Sequence, residues 1–222
     1  MIEELLPAAV VTAEAFDDPL ELGLHLEEEP AVARAVAVRR REFTTGRHLA
    51  RSCLEELGLP PGPILKDQRG APRWPEGVVG SITHCAGYRA AVVARRSTLA
   101  TVGVDAEPNE PLPANVLELV ASAAEQARLA GLTAAIPGVA WDRLLFSAKE
   151  SVYKAWFPLT GLFLDFDGAD ITFGHDLDGG IGRFTTRLLV LGPIVKGKRL
   201  DVFAGRFAVR DGLVLTAVAE PA

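Results

Sequence analysis

The sequence predicts an α+β fold in which a long helix followed by antiparallel strands occurs twice. Two segments carry helical periodicity, residues 31–57 and 141–157, and each is followed by short apolar runs of strand length. Tight-turn dipeptides, Ala86-Gly87 and Asp211-Gly212, separate neighbouring runs and pair them antiparallel. No clear repeat of residues accompanies the repeated order.

Composition bounds the function classes. The 222 residues suffice for one large domain or two small ones, and 49% of them are hydrophobic, enough for a sizeable core. The net charge of −6, from 23 basic and 29 acidic residues, argues against generic nucleic-acid binding. The two cysteines, Cys53 and Cys85, form no Cys-x-x-Cys, which argues against a disulfide framework or zinc site and points to a reducing cytosol. Met1-Ile-Glu-Glu-Leu-Leu-Pro7 lacks the basic start and apolar core of a secretion signal. No apolar run approaches the roughly 18 residues of a membrane span.

Taken in order, a short strand is expected over Ala8–Thr12, and Glu27-Glu-Glu29 reads as a solvated turn or helix start. Residues 31–57 form the first helix, with Gly58 as its cap. Six arginines lie between Arg34 and Arg51 against one acid, Glu42, out of keeping with an acidic protein. Arg39-Arg40-Arg41 and Arg47 lie about two turns apart and can converge on one side, and arginine's planar fork suits phosphate; a solvated face is the plainer alternative. Lys66 sits in a loop turned by Gly70 and Pro72. Residues 78–95 read as strand, turn and strand, the first ending Ser81-Ile-Thr-His84. Cys85 beside His84 is no nucleophile pair, because adjacent strand residues point to opposite faces. A third strand, Thr101–Asp105, follows, then a linker with prolines at 108, 111 and 113. Next come a short helix over 115–121, a capping box at Ser122–Glu125 and a loop over Gly131–Gly138. The second long helix, Trp141–Phe157, is stopped by Pro158. Strands are expected at 169–173, 183–191, 200–209 and 213–219, with His175 and Asp176 exposed near a turn.

Two stretches carry chemistry. In Val102-Gly-Val-Asp-Ala-Glu107 the strand period puts Asp105 and Glu107 on one face, with Ala106 pointing away. Adjacent carboxylates repel unless a cation sits between them, and Mg²⁺ favours one or two carboxylates with waters and phosphates; a solvated acidic turn is the alternative. On the second helix, Glu150 and Lys154 are four apart and share a face, with Lys149 about 100° round. A third acid flanked by lysines reads as a metal ligand beside phosphate-binding cations, against an ordinary surface Glu–Lys pair.

Gly103-Val-Asp-Ala-Glu107 followed by Phe146-Ser-Ala-Lys-Glu-Ser-Val-Tyr-Lys-Ala155 resembles the signature pair of the 4′-phosphopantetheinyl transferases. The match is to the Sfp/EntD type, and within it to the actinobacterial group that activates carrier proteins. Arg47-His48, Gly62-Pro-Ile-Leu-Lys66, Trp74-Pro75, Gly80–Tyr88 and Tyr153–Thr160 resemble that group in the same order. The resemblance spans roughly residues 35–220 and the joint pattern is specific in a way neither motif is alone. It implies two similar α+β halves, 1–107 and 108–222, related by a pseudo-twofold axis with the site between them. It implies transfer of 4′-phosphopantetheine from coenzyme A to a serine of acyl or peptidyl carrier proteins, releasing 3′,5′-ADP. Arg39, Arg47, Lys66, Thr83 and His84 would then hold the phosphates of coenzyme A. Asp105, Glu107 and Glu150 would hold Mg²⁺ or Mn²⁺, with Lys154 and Lys149 on the same phosphates. Ala106 offers no side-chain ligand, so water or a carbonyl would complete the sphere. The base is Glu150 or Glu107. A monomer without membrane or nucleic-acid partners is implied, with the arginine-rich helix and the 131–138 loop as carrier-docking surfaces. Two rivals stand beside this: a coenzyme A-binding scaffold without activity, and an acidic-triad nuclease. The nuclease reading lacks a later His-and-Asp motif, since the chain ends in strands.

Overall fold

The computed structural model describes residues 1–174 and 177–222. His175 and Asp176, expected to be exposed, lie outside the described residues. The fold is α+β with antiparallel sheets. A three-stranded sheet in the order β1-β3-β2 comprises β1 (Val11–Ala15), β2 (Val78–Cys85) and β3 (Tyr88–Arg95). A five-stranded sheet runs β4-β10-β9-β6-β5, from β4 (Leu99–Pro108), β5 (Ala169–Phe173), β6 (Ile181–Leu188), β9 (Val202–Arg210) and β10 (Leu213–Pro221). A two-residue pair, β7 (Ile194–Val195) with β8 (Lys198–Arg199), makes a small third sheet. The Asp211-Gly212 turn joins β9 to β10, with positive φ at both residues as such a hairpin requires.

Helix α1 (Ala37–Glu56) lies across the three-stranded sheet, where Leu49, Ala50, Cys53 and Leu54 pack on Ala91 and Val93. It starts later than expected. A 3₁₀ turn, Glu29–Val32, precedes it, and Arg34 lies outside the helix. After the short α2 (Val116–Val120), α3 (Ala123–Ala135) fills most of the expected 131–138 loop. Its start is the capping box of Ser122 and Glu125, made in both directions. Helix α4 (Trp141–Thr160) runs through Pro158 and ends at Gly161, in the left-handed region with φ 65°. Pro158 costs the helix one bond, to the Lys154 carbonyl, and the α4 face packed on the large sheet outweighs that loss. Trp141, Leu144, Leu145, Ala148 and Val152 form that face, over Phe203, Phe207 and Val214.

The two main sheets meet at β2 and β4 without a backbone ladder. Ser81 and Thr83, on one face of β2, accept the Val104 and Ala106 N–H groups through their hydroxyls, each at 3.1 Å. The strand that delivers the acid pair is therefore paired with β10 on one side and held by hydroxyls on the other.

Candidate active site

Thr101, Gly103, Asp105 and Glu107 alternate onto the face of β4 that meets α4. The approach is close. A Cβ on Gly103 would sit 2.0 Å from the Ser151 carbonyl oxygen and 2.6 Å from the Ala155 nitrogen, so only glycine fits. The glycine of the acidic motif thus sets the distance at which α4 presents its side chains. Lys154 then reaches Asp105 Oδ1 at 2.7 Å and the Val104 carbonyl at 3.1 Å. Arg143, three turns earlier, donates to Glu107 at 3.1 Å and to the carbonyls of Glu110 and Pro111, stitching the proline linker to α4.

Facing this is a cleft lined by Arg39, Arg47, Lys66, His84, Glu150 and Lys154, with Asp105 behind Lys154. The sequence separates these groups by more than a hundred residues, and the packing of α1, β2 and α4 brings them together. Arg47 is buried, its Nε bonded to the Ile64 carbonyl at 2.8 Å. Its guanidinium lies 4.4 Å from the centre of the Phe43 ring and Lys66 Nζ lies 4.8 Å from the same ring. Burial brings Arg47 down to about 10, with Arg51 and Arg39 adding, and it stays charged at neutral pH. Burial first, then Arg39 and Arg47, lowers Lys66 as well. Cations buried close together in a net-acidic chain make a site that an anion relieves.

Arg39 contacts the His84 ring, and Glu42 lies 3.5 Å from Arg39 and 3.4 Å from His84 Nδ1. Behind them the buried Arg89 is fixed by Asp18 at 2.7 Å and 2.8 Å. Burial, and then the charges of Arg39, Lys154 and Arg89, push His84 down to about 4. It is neutral at pH 7 and meets an anion as a hydrogen-bonding ring. Both thiols are pushed up to about 12, chiefly by burial, so Cys85 is inert.

The carboxylates are under strain of charge. Glu107 is raised by burial and by Asp105, against Arg143. Glu150 is raised by burial, with Lys154 opposing and Asp105 adding. Among the described residues no three His, Cys, Asp or Glu side chains form a ready-made metal cage. Cations from the chain, Lys154 and Arg143, lie against two of the three acids instead. One observation fits a divalent cation at this place: Asp105 Oδ2 is buried and without a hydrogen-bond partner, while Oδ1 is saturated. A hard carboxylate oxygen left this way suits Mg²⁺.

Two candidates are not brought to the cleft. Lys149 is buried and donates to Glu125 at 3.0 Å and to the Phe166 carbonyl at 2.7 Å; the 100° offset from Glu150 turns it into the core. Thr83 is also buried, and its hydroxyl is spent on Asp105 and Ala106. Of the six arginines, Arg40 pairs with Glu29 and Arg51 with Glu28. The Glu27–Glu29 run, which reads in sequence as a solvated turn or helix start, does open the 3₁₀ turn at Glu29 and also supplies counter-charge; Glu28 is buried and accepts the Ile64 N–H. Glu42 and Arg143 were missed as neighbours of the site. Glu42 was visible as the lone acid among the arginines, whereas nothing local marks Arg143.

A family model described as the 4′-phosphopantetheinyl transferase N-terminal domain matches residues 27–94, and one for the 4′-phosphopantetheinyl transferase superfamily matches residues 101–189. The chain is 57% identical over 226 residues to the 4′-phosphopantetheinyl transferase Svp of Streptomyces mobaraensis, covering 100% of this chain and 90% of that protein. It is 49% identical over 222 residues to PptT of Mycobacterium tuberculosis, with 98% and 97% covered. Identity to Npt of Nocardia iowensis is 48% over 223 residues, with 99% of each covered.

Proposed function

The chain belongs to the 4′-phosphopantetheinyl transferase superfamily, of the Sfp/EntD type, and from that premise we propose how its cleft divides the work. The reaction moves the 4′-phosphopantetheine arm of coenzyme A onto a serine of a carrier protein. The serine oxygen forms a bond to the phosphorus that bears the arm. The bond from that phosphorus to the bridging oxygen breaks, 3′,5′-ADP leaves with the electron pair, and the serine proton passes to a base.

Arg39, Arg47, Lys66 and His84 bind the phosphates. What supports this is their place in one cleft, where burial first and then neighbouring cations lower Arg47, Lys66 and His84, a shift an anion would oppose. Glu150 is the base. It lines the cleft and its carboxyl is raised toward the serviceable range, whereas Glu107 is engaged by Arg143. Asp105, Glu107 and Glu150 would hold Mg²⁺ or Mn²⁺, whose charge would neutralise the pyrophosphate as it divides. Lys154 keeps Asp105 Oδ1 occupied and adds a positive charge at the cleft wall. The partners are acyl or peptidyl carrier proteins, met by a monomer.

The single observation that carries this reading is the convergence of phosphate-type cations from α1 and β2 with Glu150 and Lys154 from α4. Its test is the intact mass of an apo carrier protein incubated with this protein, coenzyme A and Mg²⁺. A gain of one phosphopantetheine, lost in Glu150→Ala and on chelation, is expected. No gain on any of several acyl and peptidyl carriers, from folded protein that still binds coenzyme A, would favour the inactive scaffold.

A further inference from the structure

The family pattern assigns the hydroxyl residue before His84 to the phosphates. The geometry gives it other partners. Thr83 Oγ1 accepts the Ala106 N–H at 3.1 Å and donates to Asp105 Oδ1 at 3.2 Å. A hydroxyl has one proton to donate, and this one is committed to Asp105. Thr83 is 2% exposed, so a phosphate has no route to it that leaves β2 and β4 in place. Its neighbour His84, on the opposite face of the strand, remains in the cleft.

We propose that Thr83 is a positioning residue that acts through Asp105, fixing the rotamer in which Oδ2 is presented to the divalent cation. Three facts converge on it. Oδ1 takes two donors, Lys154 and Thr83, from two different elements, so the carboxylate cannot rotate without losing both. Oδ2 is buried with no partner, a costly state that a cation would relieve. Thr83 and Ser81 are also the groups through which β2 grips β4 in place of a backbone ladder. The strand that carries His84 therefore also sets the orientation of Asp105, through one side chain. Partners of metal-ligating carboxylates act in this way, fixing ligand orientation from outside the coordination sphere.

The inference rests on the reading that Asp105 ligates a cation, and the experiment separates the two. Mn²⁺ binding is titrated by electron paramagnetic resonance on the full chain, with and without coenzyme A. Coenzyme A affinity is measured separately in chelator. The variants are Thr83→Val, close to threonine in shape but without the hydroxyl, Thr83→Ala, which cannot clash, and Thr83→Ser, which keeps the hydroxyl. Both hydroxyl-deleted proteins should bind Mn²⁺ about 10–100-fold more weakly, with coenzyme A affinity in chelator unchanged and Thr83→Ser close to wild type. Unchanged Mn²⁺ affinity in Thr83→Ala would overturn the proposal. So would weakened coenzyme A binding in chelator, which would return Thr83 to the phosphates or mark general loosening. A wild-type protein that binds no Mn²⁺ under either condition would sink the cation reading itself.

Discussion

Lys149 separates two accounts of the same motif. The signature places it beside Glu150, where a phosphate contact is natural, but the structure buries its ammonium against Glu125, with side-chain exposures of 3% and 2%. Glu125 also accepts the Ser122 and Ile171 N–H groups, both at 2.9 Å, so its charge is fixed in place by α3 and β5. Lys149→Met keeps length and volume and removes the charge. The carboxylate is then left buried without its counter-ion, a change that costs about 3–5 kcal/mol. For a chain of this size each kcal/mol moves Tm by about 2–4 °C, so a fall of about 6–20 °C is expected. Glu125→Gln in the same chain removes the stranded charge and should return much of the loss. Coenzyme A affinity, read by calorimetry below the lowered Tm, should be unchanged. A Tm within about 2 °C of wild type together with weaker coenzyme A binding would refute this reasoning and make Lys149 a phosphate ligand.

Other consequences are as direct. Gly103→Ala drives a Cβ into the α4 backbone, so it should destabilise by about 3 kcal/mol, the upper end for overpacking, and abolish transfer; a stable, active variant in urea melts and mass assays would disprove the close approach. His84 is held near 4 when folded, against 6.5 as its ordinary value. The unfolded chain therefore binds the extra proton between those values, and His84's contribution to stability grows with pH across that window and is lost as pH falls. His84→Asn should flatten that part of the pH–stability curve, and an unchanged curve would show that His84 does not cause it. A bound phosphate should raise His84, so calorimetry at pH 5.5 in buffers of different ionisation enthalpy should find more proton uptake with coenzyme A in wild type than in His84→Asn, and no difference would take His84 out of the phosphate contact. Arg47→Met should weaken coenzyme A binding by tenfold or more, about 1.4 kcal/mol, and unchanged affinity would take Arg47 out of the phosphate site.

The sequence made the architecture legible because its punctuation is local. Gly58, Ala86-Gly87, Ser122–Glu125 and Asp211-Gly212 end or begin elements whatever the rest of the chain does. The expectation failed where tertiary packing overrode a local signal. Pro158 suggested a stop, yet α4 continues to Thr160 because its apolar face is already committed to the large sheet. The α+β class with antiparallel sheets was readable, but the pairing of β4 with β10 across more than a hundred residues was not. In the site, period two placed Asp105 and Glu107 correctly on one face, and period 3.6 did the same for Glu150 and Lys154. Lys149 and Thr83 lie away from the cleft for one reason. A motif gives adjacency along the chain, and adjacent residues on a helix or strand serve different faces.

The same logic explains why the acidic pair needs α4 at all. On β4 alone, two carboxylates two residues apart would repel. The chain answers with one cation per acid from a single helix, Arg143 on Glu107 and Lys154 on Asp105, spaced by eleven residues, three turns of α-helix. Between them Glu150 receives no such partner among the described residues and keeps its raised carboxyl. Gly103 sets how near the helix lies, the helical period sets which acids are neutralised, and the acid left over is the one that faces the cleft. The spacing of one helix over one strand thus gives Glu107 and Asp105 a cation each and leaves Glu150, proposed above as both cation ligand and base, without an ion pair among the described residues.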